Sequence, residues 1–69
     1  MELSEKNLHT IQVDMQTALD NYNDYKDRRD IKNAEYCRGY LLGMIRFANI
    51  IGYYAIAGRN KRVEITKID

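Results

Sequence analysis

The stretch AEYCRGYLLGMIRFANIIGYYAIA occupies residues 34–57. Small and apolar residues recur in it at alternating spacings of three and four, which is typical of an α-helix with one buried seam. That seam consists of Ala34, Cys37, Leu41, Met44, Ala48, Ile51 and Ala55. A second apolar set beside it consists of Ile45, Phe47, Ile50 and Tyr54. Because a helix that is apolar around most of its circumference is buried on more than one side, we expect a further covering surface besides one partner helix.

An earlier amphipathic helix is predicted over residues 4–28. Ser4 is suited to cap its start, because a serine hydroxyl accepts a hydrogen bond from a free amide of the first turn. Its apolar seam consists of Leu8, Ile11, Met15, Ala18, Tyr22 and Tyr25. Gln12 and Gln16 fall between seam positions, and we expect them on the solvent side. The chain contains no proline, so long uninterrupted helices are permitted.

The turn between the two helices is predicted at residues 29–32, where the sequence is mostly polar. Asp30 or Asn33 is suited to cap the second helix. That helix is predicted over residues 33–57, with Gly58 as the residue that ends it. Because no glycine or proline marks the turn, one continuous helix through this segment is the alternative.

The predicted fold class is mainly α, an antiparallel two-helix hairpin over residues 1–58. A chain of 69 residues with no disulfide buries a modest core, so we expect dimerisation to complete a four-helix arrangement. A turn near residue 30 also brings apolar residues of the two helices opposite each other. The facing pairs are Leu19 with Leu41, Met15 with Ile45, and Asp14 with Arg46.

The basic tail, residues 59–69, differs from the helices. Residues 63–66 alternate and include β-branched side chains, which is typical of a short strand. One strand needs a neighbour. The favoured interpretation is a helix to residue 57 followed by an extended tail. The alternative makes Tyr53–Ala57 a strand that forms a β-hairpin around Gly58–Lys61.

Few residues of this chain suit catalysis or metal binding. Cys37 is the only cysteine and His9 the only histidine, whereas zinc sites usually need four such ligands. We interpret Cys37 as a packed thiol and His9 as a residue on the flank of a helix. Asp20, Asp24 and Asp27 share a helix face that we interpret as solvated. We therefore expect no catalytic residues, no cofactor and no metal. The expected compartment is a reducing cytoplasm, because there is one thiol and no secretory leader.

The excess apolar and aromatic surface favours a non-enzymatic protein–protein interaction module that forms a homodimer. Tyrosine suits interfaces because it buries a large area and keeps a polar tip. The four tyrosines nearest the turn are expected to converge there, and two more lie at the far end of the second helix. The predicted interface residues are Phe47, Ile50, Tyr53, Tyr54, Tyr22, Tyr25, Tyr36 and Tyr40.

Nucleic-acid binding is the alternative function. The basic tail supplies four cations that could follow a phosphate backbone, and two neighbouring tyrosines could stack on bases. These cations are Arg59, Lys61, Arg62 and Lys67. No recognition helix with clustered base-reading side chains accompanies them.

A membrane span over residues 40–57 is disfavoured, because Arg46 and Asn49 lie at its centre and an unpaired arginine is costly in a bilayer. Gly39 and Gly43 form a pair of a kind found where membrane helices pack. A simpler interpretation is that these glycines let the first helix or a partner approach closely.

Residues 35–45 read EYCRGYLLGMI. This segment resembles a pattern found in small helical-hairpin accessory proteins of phages and other mobile elements. The resemblance implies a regulator or inhibitor that binds a host or phage factor, such as a component of replication, transcription or defence. It implies no catalytic residues. The long apolar continuation through Ile56 and the basic tail depart from a simple two-helix monomer.

Overall fold

A computed structural model describes residues 2–56 and 62–68 of the chain. In chain order its elements are helix α1 (Glu5–Asp27), helix α2 (Ile31–Ile50), strand β1 (Tyr53–Ile56) and strand β2 (Glu64–Lys67). The predicted class is confirmed, because the fold is a mainly helical hairpin with a short two-stranded antiparallel sheet near the end of the chain.

Capping side chains fix where each helix begins. The Ser4 hydroxyl accepts a hydrogen bond from the Asn7 amide at 3.1 Å, as predicted. The Asp30 carboxylate accepts one from the Asn33 amide at 3.3 Å, which makes Asp30 rather than Asn33 the cap of α2. Helix α2 therefore begins two residues earlier than predicted. The chain reverses through Arg29, whose φ of 59° lies in the left-handed region.

The predicted end of the second helix at residue 57 is wrong, because α2 ends at Ile50. Gly52 has a φ of 93°, a backbone conformation that favours glycine and stops a helix. Its carbonyl then accepts a hydrogen bond from the Ile68 amide at 2.9 Å. The β-hairpin alternative is confirmed in place of an extended tail, and the predicted terminator Gly58 lies outside the described residues.

The sheet presents one face to the helices and one to solvent. Tyr53 pairs with Lys67 and Ala55 pairs with Ile65 in the antiparallel register. Because side chains alternate along a strand, Tyr53 and Ala55 are buried whereas Tyr54 is exposed. The hairpin thereby covers part of the apolar surface that one helix alone could not cover.

The core lies where α1, α2 and the β-hairpin meet. Its buried members are Met15, Ala18, Leu19, Leu41, Ala55 and Val63. Ile45 packs against them, so both predicted apolar pairs contribute to one cluster. Asp14 and Arg46 form no ion pair within the described part of the chain. Asp14 instead lines a shallow depression beside Cys37 and Tyr40, so this predicted pair is wrong.

Two glutamines of α1 hold the chain just before β2. The Gln12 side-chain amide donates to the Val63 carbonyl, and the Gln16 side-chain oxygen accepts from the Val63 amide, each at 2.7 Å. Both glutamines are half-buried, which corrects their predicted solvent orientation. The two hydrogen bonds pair both backbone groups of a residue whose side chain is fully buried, so they fix how the hairpin docks on α1.

Candidate protein-binding face

One side of α2 carries apolar side chains that the described part of the chain does not cover. Its members follow one another at spacings of four, three, four and three, so they share one helix face. This α2 stripe consists of Tyr36, Tyr40, Gly43, Phe47 and Ile50. Tyr36 is 74% exposed and Ile50 is 73% exposed, while Tyr40 and Phe47 are 51% and 55% exposed. At 1.5 Å per residue the stripe is about 21 Å long.

None of the five residues of the α2 stripe is charged. Arg38 projects from another side of the helix and forms an ion pair with Glu35 at 3.6 Å. Arg46 borders the stripe, because it lies three residues after Gly43 and four residues before Ile50. Leu42 is also exposed, but it lies off the stripe, on another side of α2. An uncharged surface of this length is typical of the central part of a protein interface, from which charged residues are depleted.

An open groove of about 470 Å³ runs beside the α2 stripe. Tyr40, Gly43 and Phe47 of the stripe form part of its wall, together with Gly39. The remaining lining comes from the start of α1, from apolar residues of α2 and from the inner face of the sheet, and none of it is charged. Such a groove suits apolar side chains of a partner and offers few polar groups to orient a small ligand.

Gly39 and Gly43 line this groove without serving the packing of the hairpin itself. A Cβ atom added at either position meets no heavy atom within 4 Å. Helix α1 therefore does not approach α2 closely at these glycines, and that part of the predicted interpretation is wrong. Close approach by a partner, the other part of that interpretation, stays a prediction.

The structure divides the predicted interface residues into separate groups. Tyr36, Tyr40, Phe47 and Ile50 lie together on the α2 stripe. Tyr53 is only 3% exposed, and its hydroxyl accepts a hydrogen bond from the Leu3 amide at 2.9 Å. Its predicted place on an exposed interface is therefore wrong. Tyr54 is exposed, but it lies on the outer face of the sheet.

Tyr22 and Tyr25 belong to α1 and are half-buried. The Lys26 ammonium lies 5.7 Å from the centre of the Tyr22 ring. The Arg28 guanidinium lies 5.0 Å from the centre of the Tyr25 ring. A cation over an aromatic face is stabilising, so these two tyrosines have partners within α1 and at its C-terminal cap.

Of the four cations predicted to contact nucleic acid, Arg59 and Lys61 lie outside the described residues. Arg62 is exposed. The Lys67 ammonium lies 3.0 Å from a Glu2 carboxylate oxygen. This hydrogen bond and the opposite charge lower the pKa of Glu2 below its ordinary value and raise the pKa of Lys67. Lys67 thus already has an anionic partner within the chain.

The remaining chemistry-bearing residues stand apart from the α2 stripe. The Cys37 thiol is buried, as expected of a packed residue. Asp20 accepts a hydrogen bond from Gln16, and Asp24 pairs with Arg28 at 2.8 Å. Across residues 2–56 and 62–68, no three His, Cys, Asp or Glu side chains converge as metal ligands would. Neither helix within those ranges combines the length and the apolar character needed to cross a bilayer.

Comparisons of the chain with protein-family models, with curated proteins and with solved structures find no match. The α2 stripe is therefore interpreted from its own geometry. Sequence reasoning named four of its members but grouped Phe47 and Ile50 with Ile45 and Tyr54. The missed signal was the regular spacing that places Gly43 at the centre of the stripe.

Proposed function

We propose that this chain is a non-enzymatic protein-interaction module that binds its partner through the α2 stripe. The observation that carries the proposal is the continuous, uncharged and exposed row of aromatic and aliphatic side chains from Tyr36 to Ile50. The resemblance of residues 35–45 to accessory proteins of phages and mobile elements extends the proposal to a regulator of a host or phage factor in the cytoplasm.

The amount of exposed aromatic surface supports this function. A buried aromatic side chain contributes about 150–250 Å², so exposures of 74%, 51% and 55% leave on the order of 350 Å² on three rings. The largest apolar patch of a typical monomer is about 300–600 Å² and is often functional. Ile50 and the lining of the adjacent groove extend the patch further, towards the roughly 800 Å² that each partner buries in a standard interface.

A capture experiment tests the function. The tagged chain and its Phe47→Asp variant are incubated with extract of the native host, and the proteins retained are compared by mass spectrometry. Because a carboxylate at the centre of an apolar interface is left desolvated without a partner, we expect the variant to lose the proteins that the unchanged chain retains. Circular dichroism should show helix content unchanged, since Phe47 is 55% exposed.

Leu42→Asp is the matched control. Leu42 belongs to the same helix and is 50% exposed, but it lies off the α2 stripe. The control should retain the same proteins as the unchanged chain. Equal loss with both variants, or equal retention with both, would contradict the assignment of binding to the stripe.

A further inference from the structure

The shallow depression beside Cys37 lies between α1 and α2 and has a volume of about 260 Å³. Helix α1 lines it with Asp14, Thr17 and Asn21, and helix α2 lines it with Tyr36 and Tyr40. Among the described residues that line this Asp14 depression, Asp14 is the only charged one. Its lining therefore combines one carboxylate with neutral oxygen acceptors and two aromatic rings.

Asp14 has no ion pair within residues 2–56 and 62–68. No residue three, four or seven positions from it along α1 is charged, so the neighbouring surface of its own helix supplies no cation. By contrast, Asp24 and Glu35 each pair with an arginine. Asp20 lines a different depression, to which Arg62 also contributes. Asp14 thus presents a negative charge that the described part of the chain does not match.

The Asp14 depression adjoins the α2 stripe. Tyr36 and Tyr40 belong to the stripe, and Tyr40 lines both the depression and the apolar groove. A partner that covers the stripe therefore also covers the side of the depression and displaces water near Asp14. A carboxylate that loses water without gaining a partner is costly. The partner must therefore bring a group that matches this charge.

We propose that the partner of the α2 stripe inserts an arginine side chain into the Asp14 depression. This inference rests on the proposed function, because it names a chemical group of the same partner. The charge of Asp14 selects a cation over a neutral or acidic side chain. The two tyrosines select arginine over lysine, because a planar guanidinium stacks on aromatic rings and donates to several oxygens at once, whereas an ammonium is a compact and strongly hydrated charge.

The size and the place of the depression suit this occupant. A volume of about 260 Å³ has room for a guanidinium, since ~150 Å³ holds a benzene-sized group. Residues 36–40 of α2 border the depression and residues 39–51 border the groove, so their centres lie about 10 Å apart along the helix. We therefore expect the arginine to accompany an apolar side chain at this distance in the same partner segment.

A nuclear magnetic resonance titration of the full chain tests the site with defined probes. These are N-acetyl-arginine amide, its citrulline counterpart, which has a similar shape and no charge, and N-acetyl-lysine amide. The arginine probe should shift the backbone amide signals of Asp14, Asn21 and Cys37 in a saturable way. The citrulline probe should bind about tenfold more weakly, because hydrogen bonds between charged groups are roughly twice as strong as neutral ones. The lysine probe should also bind more weakly than the arginine probe.

Asp14→Asn removes the charge and keeps the shape of the side chain, so it should reduce binding of the arginine probe to the level of the citrulline probe. Asp20→Asn is the matched control, because Asp20 is an exposed carboxylate of the same helix that lines a different depression. It should leave the titration unchanged. The absence of saturable shifts with the arginine probe, or an equal loss of binding in both variants, would overturn the site. Equal binding of the arginine and lysine probes would overturn the choice of arginine.

Capture with the tagged chain separates this inference from the proposed function. A protein that the unchanged chain retains and that Phe47→Asp loses should be retained more weakly by Asp14→Asn. If Asp14→Asn retains it as well as the unchanged chain does, the proposed function stands and the arginine is overturned. If Phe47→Asp and Leu42→Asp give equal retention while the arginine probe still requires Asp14, the proposed function is overturned and the depression remains a binding site for a guanidinium.

Discussion

The two sides of α2 carry similar apolar residues but have different surroundings. On one side, Leu41 and Ala48 are buried against α1 and the β-hairpin. On the other side, Tyr36 and Ile50 are exposed, and the described part of the chain does not cover them. Apolar character alone therefore does not distinguish a side of the helix that the same chain covers from a side that stays exposed in the described part of the chain.

The largest expected loss of stability comes from a cavity in the buried side of the helical hairpin. Met15 is fully buried where the helices and the hairpin meet, so Met15→Ala leaves a cavity and should cost about 2–5 kcal/mol of unfolding free energy. A domain of this size is stable by roughly 3–10 kcal/mol at 0.05–0.15 kcal/mol per residue. Urea denaturation followed by circular dichroism should show a partly or wholly unfolded variant. Val13→Ala, at an exposed position of α1, is the control and should remain close to the unchanged chain.

Breaking the exposed side should affect assembly and leave the fold in place. Ile50→Asp places a carboxylate at the end of the α2 stripe, and we expect the predicted homodimer to weaken by at least ~2 kcal/mol, roughly 30-fold. Sedimentation equilibrium should show the mass of one chain, while the far-ultraviolet spectrum keeps its helical signal. A variant that remains dimeric at the same concentrations would exclude Ile50 from the interface.

The attachment of the hairpin to α1 can be loosened at a single hydrogen bond. Gln16→Met removes the oxygen that accepts from the Val63 amide, and an unpaired amide in a partly buried position costs about 1–3 kcal/mol. Amide hydrogen exchange at Val63 and across β2 should become faster, while exchange within α2 changes little. Thr17→Ala, at the exposed neighbouring position, should leave these rates unchanged.

Alanine substitutions at Gly43 and at Gly52 should change the unfolding free energy in opposite directions. Gly43→Ala should raise the unfolding free energy by about 1 kcal/mol, because alanine favours the helix and its Cβ meets nothing within 4 Å. Gly52 is equally open, but its φ of 93° strains any residue with a Cβ. Gly52→Ala should therefore lower the unfolding free energy by about 1 kcal/mol. Thermal unfolding at low protein concentration measures both changes, and a shift of the same sign in both variants would contradict this reasoning.

The smallest expected effect concerns the exposed pair of Glu2 and Lys67. Lys67 lowers the pKa of Glu2 below its ordinary 4.5, so the pair contributes stability above that pH and loses it as the pH falls through the lowered pKa. The raised pKa of Lys67 means that the same contribution is lost on the alkaline side only as the pH rises through that value. Thermal melts between about pH 5 and pH 2 should show a slightly weaker acid dependence for Glu2→Gln than for the unchanged chain. If the two proteins show identical pH dependence of thermal stability, the pair of Glu2 and Lys67 does not stabilise the docking of the hairpin.

Local patterns were enough to predict most of the helical hairpin. The Ser4 cap, the turn and the buried seam through Leu41 depend on interactions within a few residues, so they can be read from neighbouring sequence. The end of α2 could not be predicted in this way, because Gly52 and Gly58 are both plausible terminators in sequence. The choice between them depends on the pairing of β1 with β2 and on the docking of Val63 against Met15 and the two glutamines.

The sequence by itself determined that this protein has two amphipathic helices and that the second carries two apolar sides, since helical periodicity follows from the order of the residues. Only the tertiary structure decided which of those sides the protein covers. The β-hairpin folds back over one side and takes Tyr53 into the core, because its contacts join residues far apart in the chain. The other side is the exposed α2 stripe, centred on Gly43, which we propose as the protein-binding face.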